Sequence, residues 1–323
     1  MKQRPISSFR QLLSHVRALP AKRVLIVYPS NAETFQSIAE ARHQLHVEFI
    51  LVGDREVIEH GLESQKIPAA GIRTVHAHDP STAVRRGVEL TRDGQADILM
   101  KGSVDTGAMM RAVLQEESNL RTGRLLSDIF LLEFPRRPER PFIMITDGGM
   151  NLSPSLKDKV ELVTNAVEVA HALGNAKPRV AILSATEFVL PNLQSTVDAA
   201  ALAKMNERGQ IKGCIVDGPL ALDNAISNEA VREKRIKSPV AGRSDILVAA
   251  NIESANSLAK STTYFAALRL AHVIMGARVP ILIPSRADKS DARLLSIALG
   301  IMVCQKQTKR NGGPSGRAPV RSR

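Results

Sequence analysis

The stretch "ILVAANIESANSLAKS" (residues 246–261) changes its periodicity part-way along. Its opening residues are apolar at consecutive positions, as in a strand covered on both faces, and those beyond Asn251 follow helical spacing. A buried strand, a polar turn and an amphipathic helix in that order form the repeating unit of a parallel α/β architecture. The unit recurs along the chain. Strands are expected near 23–28, 47–52, 72–76, 96–100, 142–146, 179–184, 211–216, 245–249 and 280–284. Helices are expected over 32–44, 80–92, 107–116, 156–173, 191–207, 221–234, 255–274 and 290–299. Ile6, Phe9, Leu12, Leu13 and Val16 supply the apolar stripe of a first helix that Pro20 ends.

With 323 residues, 44% of them hydrophobic and 24% charged, the chain has the composition of a globular protein and the length of about two domains. No apolar run approaches the ~20 residues that span a bilayer, so no integral membrane protein is expected. Cys214 and Cys304 can build no disulfide framework and lack zinc spacing, which fits a reducing, cytoplasmic setting. Residues 1–32 are basic and acid-free, like an organellar presequence, but the first-helix stripe gives them a place in the fold. The net charge of +12 invites a nucleic-acid partner. Six of those twelve charges are Lys306, Lys309, Arg310, Arg317, Arg321 and Arg323, in a low-complexity tail expected to be disordered. Aromatic residues at 3%, with no Trp, leave few platforms for base stacking, and a small polyanion suits the dispersed Lys and Arg equally well.

Ligands of open α/β sheets bind beyond the carboxyl ends of strands, where helix N-termini offer free N–H groups. Polar clusters with glycine or proline turns follow several of the expected strands: "KGSVDTGAMMR" from 101, "DGGMNLSPS" from 147, "DGPLALDNAIS" from 217, "NIESANSLAKS" from 251 and "PSRADKSD" from 284. Dinucleotide, P-loop and nucleophile-elbow patterns are missing. His76 and His78 alternate ahead of Asp79 without a companion pair for a metal. No histidine accompanies the polar strand ends, so no Ser-His-Asp relay is expected. "EFPRRPERP" (133–141) cannot continue a helix or a central strand and marks a domain boundary, and "MGARVP" (275–280) forms a second turn region.

Taken together, "DGPLALDNAIS", "AGRSDILVAANIESANSLAKS" (241–261) and "PILIPSRADKSD" (280–291) closely resemble the phosphate acetyl/butyryltransferases, which exchange an acyl group between coenzyme A and inorganic phosphate. The resemblance continues through "MKGSVDTGAMMRAVL" (100–114) and "ITDGGMNLSPSLKDKVELVTNA" (145–166), and covers roughly residues 8–303. It implies two α/β lobes with mostly parallel sheets and an interlobe cleft, as in isocitrate/isopropylmalate dehydrogenases. The first lobe would hold residues 1–138 plus 276–304 and the inserted second lobe 139–275, leaving 305–323 as the tail. It also implies homodimers, coenzyme A as a substrate, and neither metal nor prosthetic group.

The chemistry needs a base or cation to generate thiolate from a thiol of pKa near ~8.5, and donors for an oxyanion and a phosphate. Ser285 and Arg286 match the family's Ser-Arg pair, with Ser285 as oxyanion donor and Arg286 as a planar clamp for phosphate. The acetyl branch has its aspartate seven residues beyond the serine, where this chain has Ala292. Asp288 is the preferred base, and Asp291 the other candidate. "PSRAD" looks more like the butyryl branch. Thr106, Arg111, Arg121 and Thr122 match loops that face phosphate or the cleft, and Lys101 is a candidate because it directly follows a strand. Asn151, Asp217, Asn251, Glu253, Asn256 and Lys260 complete the candidate substrate contacts. Each has a plainer reading as a cap, a turn or a solvated face. Two other classes stay open: a metal- and NAD-dependent decarboxylating dehydrogenase, needing Mg²⁺ from Asp217, Asp223 and Asp245, and a non-catalytic basic protein that binds nucleic acid through its tail.

Overall fold

The computed structural model describes residues 5–134, 137 and 141–310. Its strands are β1 (Lys22–Val27), β2 (Val47–Gly53), β3 (Ile72–His76), β4 (Ile98–Lys101), β5 (Ser127–Glu133), β6 (Phe142–Thr146), β7 (Arg179–Leu183), β8 (Ile215–Leu220), β9 (Ile246–Val248), β10 (Leu270–Met275) and β11 (Ile281–Leu282). The helices are α1 (Phe9–Arg17), α2 (Ala32–Gln44), α3 (Arg55–Ser64), α4 (Pro80–Arg92), α5 (Thr106–Leu114), α6 (Leu156–Ala172), α7 (Gln194–Glu207), α8 (Leu222–Ile226), α9 (Asn228–Glu233), α10 (Ile252–Tyr264) and α11 (Ser290–Arg310). Helices start where a short polar side chain accepts a free N–H of the first turn: Ser8, Asn31, Asp54, Asp79, Asp105, Ser155, Ser227 and Asn251 all do so.

The strands form one 11-stranded sheet in the order β3-β2-β1-β4-β11-β10-β5-β6-β9-β7-β8. β1 to β4 and β11 are mutually parallel, and so are β6 to β9. Between these halves the pairs β11–β10, β10–β5 and β5–β6 are all antiparallel. The halves therefore run in opposite directions, and their carboxyl ends lie at opposite ends of the sheet. The polar strand ends of the two halves thus approach one another from opposite ends of a single sheet.

β5 and β10 were not among the expected strands, and both lie at the centre. The expected helix 255–274 stops at Tyr264, and "LAHVIM" pairs with β5 instead. Helix 221–234 is divided at Ser227, which caps α9. Strand 211–216 is displaced to β8, and α3 is an additional helix. The expected disordered tail begins in helix, because α11 runs to Arg310; Arg317, Arg321 and Arg323 lie outside the described residues. The proline-rich boundary connects the antiparallel pair β5–β6, and most of it is likewise outside the described residues.

Strand side chains alternate between faces, and the two faces are covered differently. On one face a single apolar cluster runs across both halves, joining Phe9, Phe35, Ile58, Leu162, Leu202 and Leu295 from helices to Ile129 and Val273 from the central strands. On the other face there are two clusters. One packs α4 and α5 on the first half through Val84, Met109 and Ile281, and the other packs α8 and α10 on the second through Ala225, Ala255 and Leu247. Buried Asp128 and His272 lie between them on β5 and β10.

The turn after β4 is set by a close backbone approach. The Gly102 and Ser103 N–H groups donate to the Val27 and Tyr28 carbonyls at 2.9 and 2.8 Å, and a Cβ on Gly102 would stand 2.5 Å from the Val27 oxygen. Gly102→Ala is expected to lower stability by about 1–3 kcal/mol, since backbone must shift to admit the methyl. Denaturant unfolding measures it, and an unchanged midpoint would show that the turn relaxes freely.

Candidate active site

Parallel pairing of β4 with β11, Leu282 opposite Met100, brings Lys101 and the loop after β11 out side by side. Lys101 is 4% exposed, and its ammonium reaches only the Gly102 and Val104 carbonyls, each at 3.5 Å. Burial, then Arg293 and Arg286, push its pKa below the lysine value, against the opposing pull of Asp288 and Asp105. A buried cation beside two further cations makes a place short of negative charge. Asp105 caps α5, accepting the Ala108 N–H at 2.7 Å, and Thr106 is that helix's first residue. Exposed Arg111 folds back along α5, so that its Nη1 would stand 3.1 Å from a Cβ on Gly107. Thr106 thus opens α5 and Arg111 lies in its last turn, with the guanidinium turned back toward the first.

Ser285 and Arg286 are exposed beyond β11. The loop carrying them is braced from within. Asp288 Oδ2 accepts the Ser285 N–H at 2.8 Å. The fully buried Arg293 guanidinium donates to the Asp288 and Ser285 carbonyls at 3.1 and 3.0 Å. Glu33 Oε2 takes the Ser290 N–H at 2.7 Å, closing the start of α11. Asp291 is committed elsewhere, in a two-pronged pair with Arg269 at 3.0 and 2.6 Å. Of the two candidate carboxylates, Asp288 is therefore the one beside Ser285.

His272, in the middle of β10, faces Asp288 from below. Its Nδ1 lies 3.3 Å from Asp128 Oδ1 and its Nε2 3.7 Å from Asp288 Oδ2. Burial opposes a charge on the ring, but Asp128 and Asp288 outweigh it and raise the pKa to about 10. Burial alone would raise Asp288, yet His272, the Ser285 N–H and Arg293 hold it below the ordinary carboxylate range. A histidine does accompany the Ser285 loop, contrary to the sequence expectation. It escaped notice because it is placed inside an apolar run, read as helix, rather than after one. Asp128, in "SDIFLLE", was missed for the same reason: each is a single charged residue in a buried strand, and that anomaly was the available signal.

From the opposite end of the sheet comes the "DGGMN" loop. Buried Asp147 accepts the N–H groups of Asp128, Gly149 and Met150 at 3.0 to 3.1 Å through Oδ1, and of Asn151 at 2.9 Å through Oδ2. Burial, the largest influence on it, raises its pKa. Asn151 Nδ2 donates to Asp147 and, at 2.8 Å, to the Leu126 carbonyl. Asn256 Nδ2 donates to the Gly148 carbonyl at 2.8 Å, and Asn251 caps α10 through the Ser254 N–H at 2.9 Å. A Cβ on Gly149 would stand 2.6 Å from Asp128 Oδ2 and one on Gly148 2.7 Å from Phe130, so this loop lies directly over β5. Glu253 and Lys260 are exposed along α10. Arg121 bridges to Ala277, and Thr122 donates to the Gly276 carbonyl.

Asp217 is not brought to this strip. It lies in edge strand β8 and accepts the Gly218 N–H. Asp223 pairs with Lys234 at 3.0 Å, and Asp245 is buried against Arg137 and the Arg179 N–H. The aspartates that a dehydrogenase would need are thus dispersed. His76 and His78 touch each other at 3.0 Å on the surface, and both cysteines are buried and outside any disulfide, the Cys214 thiol pushed up to about 11 by desolvation. No helix among the described residues is long and apolar enough to cross a membrane.

A family model described as "Phosphate acetyl/butaryl transferase" matches residues 21–301. The chain is 40% identical over 299 residues to a phosphate butyryltransferase of Clostridium beijerinckii, covering 93% of this chain and 98% of that one. It is also 40% identical over 278 residues to a phosphate acetyltransferase of Thermotoga maritima, covering 86% and 94%. The crystal structure of a branched-chain phosphotransacylase from Enterococcus faecalis superimposes with a TM-score of 0.77 at 30% identity, over 88% of this chain and 99% of that one. These likenesses displace the dehydrogenase reading, and the chain belongs to the phosphate acetyl/butyryl transferase family.

Proposed function

We propose that the protein exchanges a short acyl group between coenzyme A and inorganic phosphate, giving acyl phosphate and coenzyme A from acyl-CoA and phosphate within a ternary complex. The carrying observation is the buried Lys101 beside Arg286 and Arg293, next to the exposed Ser285 hydroxyl. Such a cluster suits a multiply charged oxyanion, and phosphate is both nucleophile and leaving group here. Lys101, Arg286, Thr106 and Arg111 hold the phosphate, while Ser285 donates to the oxyanion that develops on the carbonyl. In the direction that consumes thiol, Asp288 receives the proton. It is ionised at neutral pH but weakly basic, so the surrounding cations must carry most of the thiolate charge. Arg121 and Thr122 extend the substrate contacts, with Glu253 and Lys260 on α10. Asn151 and Asn256 act by shaping the loop over β5, Asn251 by starting α10, and Asp217 has no part.

The strip between the two separate apolar clusters is read as a cleft between lobes of the isocitrate/isopropylmalate dehydrogenase kind, divided as 1–138 plus 276–304 and 139–275. Coenzyme A is a substrate in this reading and no prosthetic group takes part; a cytoplasmic homodimer belongs to the same reading. The "PSRAD" loop ranks butyryl-CoA above acetyl-CoA.

Purified protein is expected to release coenzyme A from butyryl-CoA only with phosphate or arsenate present, followed by thiol titration. Release independent of either anion would overturn the reaction. Arg286→Ala is expected to lower kcat about 10²- to 10³-fold, the usual loss for one oxyanion donor; a change no greater than that of an exposed arginine on α4 would remove Arg286 from the site. Lys101→Met should raise the KM for phosphate roughly tenfold or more while leaving thermal stability unchanged or higher, since a desolvated cation flanked by cations is removed. An unaltered KM would exclude Lys101 as a phosphate ligand.

A further inference from the structure

An ionisable ring inside a sheet costs free energy unless its nitrogens are answered. His272 is 5% exposed, stacks on Phe130 at 5.4 Å with an interplanar angle of 9°, and its backbone N–H donates to Ser296 Oγ at 3.0 Å. Both ring nitrogens face carboxylates, Asp128 at 3.3 Å and Asp288 at 3.7 Å. The longer separation is an ion pair rather than a hydrogen bond. Asp128 is itself confined, by β5 below and by Gly149 above. Asp288 transmits the contact, because the same Oδ2 that faces the ring accepts the Ser285 N–H. A line of alternating charge therefore runs from the centre of the sheet to the backbone of the Ser285 loop. Nothing in acyl transfer as assigned above uses His272.

We propose that His272, clasped between the carboxylates of Asp128 and Asp288, is a positioning residue that holds the Ser285 and Arg286 loop in its reactive geometry. This rests on the assignment of Ser285 and Arg286 to acyl transfer. The ring is sealed from substrate and acts through Asp288. The charged groups that act on it directly are Asp128 on β5 and Asp288 on the loop after β11; Asp147 beyond β6 acts on Asp128, and Arg293 on α11 and Lys101 at the end of β4 act on Asp288. The carboxylates are nearest and favour the charged ring, whose pKa is raised to about 10. Free histidine titrates near ~6.5, so the stabilisation from this clasp is complete below that value and is lost as pH climbs through the raised one.

Protein labelled with ¹⁵N-histidine tests the charge without any substitution. At about pH 8.5, two units above an ordinary histidine, one of the eight rings is expected to remain doubly protonated. Eight neutral rings would overturn the proposal. His272→Gln is expected to lower kcat roughly 10- to 100-fold, the equivalent of one buried charge-assisted contact, with little change in the KM for acyl-CoA. It should also abolish the fall in kcat on the alkaline side of the pH profile. The double variant His272→Gln with Asp288→Asn should be no slower than Asp288→Asn alone, because both break one line. Fully additive losses, or an unchanged kcat in His272→Gln, would overturn the positioning role while phosphate-dependent release by the wild type leaves acyl transfer standing. A wild type without that release would instead remove the acyl-transfer reading.

Discussion

Strands β11, β10, β5 and β6 alternate in direction at the middle of the sheet, and that alternation governs where polar groups can meet. In a sheet of one direction, all ligand-facing loops would share an edge. Here Lys101 and Ser285 emerge at one end and Asp147 at the other, so each loop must fold back over the sheet to approach its counterpart. They do so over β5 and β10, where Gly149 lies on Asp128 and Asp288 faces His272. The two central strands form the meeting ground for both halves of the chain.

Their position explains the density of charge there. Apolar packing covers one face continuously and the other in two separate patches, leaving the strip between the patches free for polar side chains. Buried charges in such a strip must be matched or displaced in pKa. Asp128 and Asp288 share the one charge of His272, and Asp147 accepts backbone N–H groups. Lys101 is different: its nearest charged influences include two arginines, and its affinity for a proton falls. The strip thus has a floor in which two carboxylates flank one histidine, and a rim that carries Lys101 and Arg286.

Most of the α/β alternation was legible because strands buried on both faces read as unbroken apolar runs, and helices begin at visible capping residues such as Asn31, Asp79 and Ser155. The motifs after β4 and β11 led correctly to neighbouring loops, since parallel strands deliver adjacent ends. What stayed hidden was pairing direction. β10 resembles a continuation of α10 in hydrophobicity, and periodicity alone does not separate a short apolar strand from a buried helical turn. With β10 missed, His272 had no face, and its contacts across 144 positions to Asp128 had no local trace. Asn151 and Asn256 were legible as polar residues near a ligand end, but not as the struts of a loop, because their acceptors are distant carbonyls.

The unequal covering of the two faces also has a mechanical consequence. A slab glued along its whole underside but divided on top is stiff against sliding and soft against bending about the dividing line. In this molecule the dividing line runs along β5 and β10, above the continuous underside. Asp128 and His272 stand on that line, and the contact of His272 with Asp288 ties it to the loop that leaves β11.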